Sequence, residues 1–294
     1  MGKFRNIFSI MLAATVFCAC GEDPELDMYG MMDGHSPDVN IRFVGVAPAG
    51  GSRAVISPSD AYKVYLGADM HIDSKASTAH TDSFLSKFAD DDNAPMALIL
   101  GDIVNGKYSM HSASERIRVM AGDKADAVFA AIGNHDLYFG LWEQWEAEWG
   151  DATYTIEVRT PSHTDLYVCV ESGSGYLGSE QMEWLKETLE TAAAKDYRHR
   201  IVFTHTHMFK KDMSQGHTSN YPIEETYELT GLFRRTGVEM FLSAHSHSRG
   251  RTIFNGVEYI VLDALEEHYP DTVTGYSILS AGEDLKCDFF SCAD

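Results

Sequence analysis

Short apolar runs and longer amphipathic segments alternate along most of the chain. The segment 181–194, QMEWLKETLETAAA, places Met182, Leu185 and Leu189 at helical spacing, which predicts a helix packed on the core by that face. Strand and helix alternation predicts an α/β layered fold that carries its functional loops at strand ends. The runs are rich in β-branched and aromatic residues, as buried strands are, and they cover residues 62–68, 96–101, 127–133, 166–170, 200–205 and 238–244.

The C-terminal part contains a hairpin signal. Residues 251–264, RTIFNGVEYIVLDA, hold two strand-like runs on either side of Asn255-Gly256, a pair of residues that favours a tight turn between antiparallel strands. With 294 residues, of which 44% are apolar, the chain is long enough to bury one large core. We therefore expect one compact domain over residues 41–294.

The first twenty residues have the three-part layout of a secretory signal. Lys3 and Arg5 precede a short apolar run over residues 7–17, which is too short for a membrane span. The ending FCACG resembles a bacterial lipoprotein signal, in which the cysteine after a small residue is lipidated. Ala19 makes Cys20 the candidate, giving a signal peptide over residues 1–19 and an unpatterned tether over residues 20–40. A plain cleaved signal is the alternative.

Acidic residues follow this cysteine. The stretch GEDPELD resembles the signal that sends some bacterial lipoproteins to the cell surface, although a solvated tether would also be acidic. We expect a chain in the bacterial cell envelope, attached to the membrane through a lipid on Cys20 and either periplasmic or exposed at the surface.

The net charge argues against a polynucleotide partner. It is −21 for the whole chain and becomes −23 without residues 1–19, which carry Lys3 and Arg5 and no acid. Such a surface repels nucleic acid, and no run of Lys or Arg overrides this repulsion. No nucleic-acid partner, and hence no nuclease, is expected.

Three cysteines lie beyond the signal. Cys169 falls within an apolar run and is expected to be a buried strand residue. Cys287 and Cys292 lie five residues apart and could pair in an oxidising compartment, unless strand geometry prevents it. No cysteine pair has the spacing of metal ligands.

Five of the apolar runs end in residues with His, Asp or Asn side chains. Taken singly, each such residue is usually a turn former or a satisfied polar group. Five in order point instead to a common site, because strand ends meet at one edge of a sheet. They are Asp69-Met70-His71, Gly101-Asp102, Gly133-Asn134-His135-Asp136, Thr204-His205-Thr206-His207 and His245-Ser246-His247.

Oxygen and imidazole donors without thiolate suit Zn, Mn, Fe or Ni at a hydrolytic centre, where a carboxylate can bridge two ions. In an extended chain, residues two apart point the same way, so that His245 and His247 can converge on adjacent ions. The sequence therefore predicts a two-metal site.

The ordered motifs DMH, GD, GNHD, a strand-end His and HSH resemble the calcineurin-like metallophosphoesterases over about residues 62–250. The resemblance implies a four-layer α-β-β-α sandwich of two mixed sheets flanked by helices, with the metals at the strand ends. It also implies a leaving-group acid or phosphate contact at His135, oriented by Asp136. The implied ligands are Asp69, His71, Asp102 and His247 for one metal and Asp102, Asn134, His205 and His245 for the other.

The fourth motif leaves a choice between two histidines. His205 follows directly on the strand and is the preferred ligand, while His207 is either a polar wall residue or a phosphate contact. His217 and Arg249 flank the motifs and are candidate substrate contacts, or ordinary solvated side chains.

Two further features indicate which members of the metallophosphoesterase family the sequence resembles. Asn105 stands where purple acid phosphatases carry tyrosine, so an iron-tyrosinate centre is not expected. Residues 171–189, ESGSGYLGSEQMEWLKETL, resemble a segment of the cyclic-nucleotide-phosphodiesterase-like and purple-acid-phosphatase-like members.

The implied activity is hydrolysis of a small phosphate ester by a hydroxide that bridges two divalent or trivalent ions, with His135 as general acid. The alternative is a surface lipoprotein whose metal site binds a metal or a phosphorylated ligand without turnover. The presence of His135 argues against that alternative, because a receptor needs no proton donor.

Overall fold

The computed structural model describes residues 36–43, 52–75, 77–209, 220–266 and 273–292. Its strands are β1 (Ser52–Ile56), β2 (Tyr62–Gly67), β3 (Met96–Leu100), β4 (Val128–Ala131), β5 (Tyr154–Arg159), β6 (Thr164–Cys169), β7 (Arg200–Thr206), β8 (Met240–Ala244), β9 (Gly250–Phe254), β10 (Val257–Val261), β11 (Gly275–Ala281) and β12 (Leu285–Ser291). Its α-helices are α1 (Val39–Phe43), α2 (Ala79–Asp90), α3 (Met110–Ala121), α4 (Trp142–Trp149), α5 (Ser179–Ala193) and α6 (Ile223–Thr236).

The strands form two mixed sheets. The seven-stranded sheet has the order β1-β5-β6-β7-β8-β10-β9, and the five-stranded sheet has the order β12-β11-β2-β3-β4. Strands β2, β3 and β4 run parallel, as do β6, β7 and β8. The loops that follow these parallel strands therefore leave each sheet at one edge, where the predicted site residues lie.

Alternation along the strands divides the core into three apolar layers. In β3, Leu98 belongs with Phe203 of β7 to the layer between the sheets, whereas Ile99 belongs with Phe84 of α2 to the layer on the outer side. Helices α2, α3 and α4 cover the five-stranded sheet, and α5 and α6 cover the other. This is the predicted four-layer arrangement, and it is confirmed.

The local predictions also hold. The six apolar runs correspond to β2, β3, β4, β6, β7 and β8, and the predicted helix is α5. Strands β9 and β10 form the antiparallel hairpin, with positive φ at Asn255 (54°) and Gly256 (83°) in its turn. Positive φ at both turn residues matches the strand twist, which is why this pair favours the turn.

Residues 1–35 lie outside the described part of the chain, so the signal peptide and Cys20 remain predictions. Residues 36–40, which were predicted to belong to the tether, pack on the domain, for example through Ser36 Oγ, which donates to the carbonyl of Leu137 at 2.6 Å. The packed domain thus begins before residue 41. Within the described ranges, no helix combines the length and apolar character that crossing a bilayer requires.

Cys287 and Cys292 are not joined to each other by a disulfide. Cys287 packs in the layer between the sheets, while Cys292 packs on the outer layer of the five-stranded sheet. Strand alternation sends residues five apart to opposite faces, which keeps the two sulfurs apart.

Candidate metal centre

Five of the seven predicted ligands lie in loops where the backbone takes positive φ. Asp69 (φ 49°) and His71 (φ 45°) follow β2, Asp102 (φ 52°) follows β3, and His245 (φ 73°) and His247 (φ 51°) follow β8. Non-glycine residues adopt this region rarely and at a cost in strain, which clusters at functional sites. The extended geometry expected for these paired residues is therefore wrong: tight turns, not strand alternation, aim the side chains.

Asp69, His71 and His247 form a first cluster. The Nε2 atoms of His71 and His247 are 3.1 Å apart, and His247 Nε2 lies 3.6 Å from Asp69 Oδ1. Asp69 is held by its other oxygen, which accepts the backbone N–H of His245 at 3.1 Å. One carboxylate and two imidazoles thus converge on one point.

Asp102, His205 and His245 form a second cluster, with Asn134 beside it. His205 Nε2 lies 3.1 Å from His245 Nδ1 and 3.1 Å from Asn134 Oδ1. His205 Nδ1 is 2.7 Å from the carbonyl of Leu100, a contact in which Nδ1–H donates. A neutral His205 therefore presents Nε2 as a lone pair toward the cluster.

Asp102 lies between the two clusters. Its Oδ2 is 3.7 Å from His71 Nε2 and 3.3 Å from His205 Nε2, while Oδ1 accepts the backbone N–H of His135 at 2.8 Å. Burial alone would raise the pKa of Asp102, but a protonated His205 facing it lowers that pKa below the ordinary carboxyl range. Burial in turn lowers the pKa of His205, and Asp102 more than offsets this and raises it to about 9, so a cation bound between the two groups would take the place of that proton. A single ionised oxygen thus faces both clusters.

Two glycines allow this close approach. A Cβ at Gly101 would lie 2.6 Å from His205 Nδ1, and Gly101 has a φ of 86°. A Cβ at Gly133 would overlap Oδ1 and the backbone nitrogen of Asp102. These positions accept no side chain without displacement of Asp102 or His205.

His135 lies beside the first cluster, and its ring centroid is 4.5 Å from that of His71. Its Nδ1 faces Asn105 Oδ1 at 3.2 Å, so Asn105 orients the ring. The carboxylate of Asp136 instead accepts backbone N–H groups of Ile103 (2.9 Å), Val104 (3.2 Å) and Gly133 (2.9 Å). The expected role of Asp136 as the orienting group is corrected: it fastens the loops after β3 and β4 together.

The remaining candidate residues are placed as follows. His205 is fully buried among the ligands, whereas His207 lies beside Asn220, with its ring centroid 5.8 Å from that of His245. Arg249 contacts Asp263 and the ring of Phe289 rather than either cluster. His217 lies outside the described residues.

The donor set fits metal cations. Asp69 Oδ1 is buried without a hydrogen bond to the described residues, and burial with the nearby Asp102 charge raises the pKa of Asp69 to about 8. Two pairs of imidazole nitrogens face each other at 3.1 Å. Each contact needs a proton on one of its two nitrogens or a cation shared by both, and N and O donors without thiolate suit Zn, Mn, Fe or Ni.

A cavity of about 620 Å³ opens next to the second cluster. Its lining includes Asn134 and His245 of the second cluster, the rings of Tyr138 and Tyr176, and the N-terminal residues Ser36, Pro37, Asp38 and Arg42. A small organic group attached to a phosphate at the clusters has room here.

Residues 62–249 match the family model described as calcineurin-like phosphoesterase. This segment contains every strand-end motif and most of the domain. The chain belongs to the calcineurin-like phosphoesterase family. Family membership supports metal-dependent hydrolysis of phosphate esters and a small phosphorylated substrate.

Solved structures share the fold of this phosphoesterase. A dimetal phosphatase from Danio rerio gives a TM-score of 0.56 at 16% identity, over 79% of this chain and 96% of that chain. A purple acid phosphatase from yellow lupin (Lupinus luteus) seeds gives 0.57 at 15%, over 80% and 52%. A putative 5'-nucleotidase from Staphylococcus aureus gives 0.54 at 13%, over 80% and 55%. Identities this low show the fold alone. No curated protein sequence matches the chain.

The sequence analysis missed the contacts that two polar residues make in the phosphoesterase site. Asn105 is the partner of His135, and the buried Glu266 has its Oε2 4.0 Å from His71 Nε2. Glu266 follows the apolar strand β10 by five residues. Its place after an apolar strand is the sequence signal for a polar site residue, although the direction of its side chain depends on tertiary contacts.

Proposed function

We propose that this chain is a dinuclear metal phosphoesterase that hydrolyses a small phosphate ester. The observation that carries the proposal is the position of Asp102, whose Oδ2 faces His71 in one cluster and His205 in the other at 3.7 and 3.3 Å. A carboxylate in this position can bridge two ions held about 3.5 to 4 Å apart in one hydrolytic centre.

The proposed ligands follow the two clusters. Asp69, His71, Asp102 and His247 would hold the first ion, and Asp102, Asn134, His205 and His245 the second. Asn134 Nδ2 donates to the hydroxyl of Tyr138 at 3.0 Å, which leaves Oδ1 directed at His205 and available as a ligand. When bound, the two ions would activate a water nucleophile and neutralise charge on the phosphoryl oxygens.

His135 is proposed to protonate the leaving group. Its Nδ1–H donates to Asn105 Oδ1, which fixes the ring so that Nε2 is the atom available to the substrate. Burial lowers the pKa of His135 below its ordinary value, and the nearby Asp102 carboxylate acts in the opposite direction. An anionic phosphoryl group beside the ring would favour its protonated form.

The leaving group is proposed to occupy the cavity beside the second cluster. The charge of Arg42 in its lining is neutralised by Glu171, with Nε and Nη2 donating to the two carboxylate oxygens at 3.0 and 2.8 Å. Asp38 adds a negative charge next to Tyr176. A neutral organic group with hydroxyls suits this lining better than a second phosphate.

The test is metal-dependent turnover of a chromogenic phosphate monoester and diester by the purified chain loaded with Mn, Zn, Fe or Ni, beside Asp102→Ala. Turnover that requires metal and is lost in Asp102→Ala supports the proposal, and the ratio of the two rates gives the ester preference. Two bound ions without turnover of either ester would favour the alternative of a non-catalytic receptor. No stoichiometric metal would contradict both.

A lipid anchor on Cys20 in the bacterial cell envelope is a separate proposal, supported by the signal-like residues 1–20. The full chain expressed in a bacterium should partition into detergent and carry the mass of a lipid on Cys20. Cys20→Ala should move the chain to the aqueous phase. An unmodified N-terminus after a plain cleavage would contradict lipidation without affecting the metal site.

A further inference from the structure

Glu266 is held at the first cluster by the backbone. After β10 the chain crosses from the seven-stranded sheet toward the five-stranded sheet and passes the end of β2. There the N–H of Leu265 donates to the carbonyl of Ala68 at 3.0 Å, and the N–H of Glu266 donates to the carbonyl of Asp69 at 3.1 Å. The side chain of Glu266 is therefore fixed next to the Asp69 ligand loop.

The carboxylate of Glu266 faces the imidazoles of that cluster. Its Oε2 lies 4.0 Å from His71 Nε2, an atom of the cluster, and its side chain is 9% exposed. It also lies 3.9 Å from Nδ1 of His247, whose other ring nitrogen, Nε2, is the one that faces His71. With ligand distances of about 2.1 Å, two ligands of one six-coordinate ion are about 3 Å apart when adjacent and about 4.2 Å apart when opposite. The separation of Glu266 from His71 falls within that span.

We propose that Glu266 is a further metal ligand, which supplies a third carboxylate to the first site beside Asp69 and the shared Asp102. This inference rests on the proposed dinuclear function. The second site has the shared Asp102 as its one carboxylate, together with two imidazoles and the amide of Asn134. Carboxylate oxygens favour harder cations such as Mn²⁺, and imidazole suits Zn²⁺. The two sites would therefore differ in metal preference, with the first site the better one for Mn²⁺.

The experiment is a Mn²⁺ titration of the metal-free full chain, followed by the electron paramagnetic resonance signal of free Mn²⁺, for wild type, Glu266→Gln and Glu283→Gln. Glu283 lies exposed in the turn between β11 and β12, so Glu283→Gln is the same chemical change away from the site. We expect Glu266→Gln to weaken one of two Mn²⁺ sites by more than the roughly 10- to 100-fold that loss of a hydrogen-bond partner of a ligand costs, with the other site and Glu283→Gln unchanged.

A competition between Mn²⁺ and Zn²⁺ gives a second readout, because loss of the carboxylate should move the weakened site toward Zn²⁺ by about tenfold or more. Glu266→Asp retains the charge and should fall between wild type and Glu266→Gln; it replaces Glu266→Gln if that variant does not fold by circular dichroism. Wild-type affinity at both sites in these variants would overturn the role of Glu266 and leave the dinuclear function intact. No Mn²⁺ or Zn²⁺ bound to wild type would overturn both.

Discussion

At the scale of single residues, the metal centre depends on atoms that approach each other more closely than side chains normally allow. Gly133 shows this directly, because the space beside its Cα is occupied by the carboxylate and backbone of Asp102. Asp102 in turn is the group that both clusters share. A single added methyl group should therefore disturb both metal sites at once.

We expect Gly133→Ala to lose most of its bound metal and at least about a hundredfold in kcat/KM, because Asp102 is displaced and no longer faces both clusters. Metal content by plasma mass spectrometry and turnover of the chromogenic ester measure the two effects. Gly282→Ala is the matched control, because a Cβ at Gly282 meets nothing within 4 Å. Full metal occupancy in Gly133→Ala would show that Asp102 does not need its observed position.

His135 should affect turnover without affecting metal binding. Replacement by Gln keeps a polar side chain but removes the proton donor, so kcat should fall about 10²- to 10⁴-fold with unchanged metal content. In wild type the acid form is required, and burial lowers the pKa of His135. The alkaline limb of kcat/KM against pH should thus lie below the ordinary histidine value of 6.5, and it should vanish in His135→Gln. If the alkaline limb of kcat/KM against pH were unchanged in His135→Gln, another group would be the general acid.

The site residues that directly follow an apolar strand could be predicted from the sequence. Asp69, Asp102 and His205 each come directly after or at the end of an apolar run, and the structure brings them together. Asn105 and Glu266 lie farther from their strands, in loops whose course depends on tertiary contacts. Local pattern therefore gave no indication of where their side chains would point.

At the scale of elements, the two sheets are joined by a histidine away from the metal centre. His199 precedes β7, and its Nδ1 lies 3.1 Å from the carboxylate of Glu239 before β8. Its Nε2 lies 3.0 Å from the carbonyl of Gly282, which follows β11 in the other sheet. A protonated ring donates to both partners and connects the sheets.

This contact should make stability depend on pH. Burial by itself lowers the pKa of His199, but Glu239 and the carbonyl of Gly282 offset that effect and raise it above the ordinary value of 6.5. The stabilisation is therefore complete below pH 6.5 and is lost as pH rises through the higher folded-state pKa. Urea unfolding should show a difference between wild type and Glu239→Gln that shrinks with rising pH. A difference that is constant from pH 6 to about pH 9 would exclude the linkage.

Elements with strong local signals were predicted correctly, namely β2, β3, β7, the helix α5 and the hairpin at Asn255. The order of the strands in each sheet was not predicted, because strands far apart in the sequence pair with each other. Strand β1, for example, lies at the edge of the seven-stranded sheet beside β5, where Ala54 pairs with Ile156, about a hundred residues later in the chain. The spacing of hydrophobic residues along a strand indicates which of its faces is buried, but not which other strand pairs with it.

At the scale of the whole molecule, residues 36–43 fasten the N-terminal side of the chain to the domain. Arg42 and Glu171 form an ion pair at 2.8 Å with side chains 2% and 3% exposed. Burial raises the pKa of Glu171, and Arg42 limits that rise. Removal of the arginine would leave a buried carboxylate without its cation.

Arg42→Ala should lower the free energy of unfolding by about 3–5 kcal/mol, the cost of a buried charge that has lost its partner. The double variant Arg42→Met/Glu171→Met should recover much of this loss, because no charge remains buried. Urea denaturation measures both. An Arg42→Ala loss of less than about 1 kcal/mol, the size of an exposed pair, would show that residues 36–43 leave the domain in solution.

The most direct test of the dinuclear centre is an anomalous diffraction map of crystals of the chain grown with Mn²⁺. Two peaks about 3.5–4 Å apart are expected, with Asp102 Oδ2 between them and one peak against Asp69, His71 and His247. A single peak, or two peaks that do not share Asp102, would contradict the proposed centre.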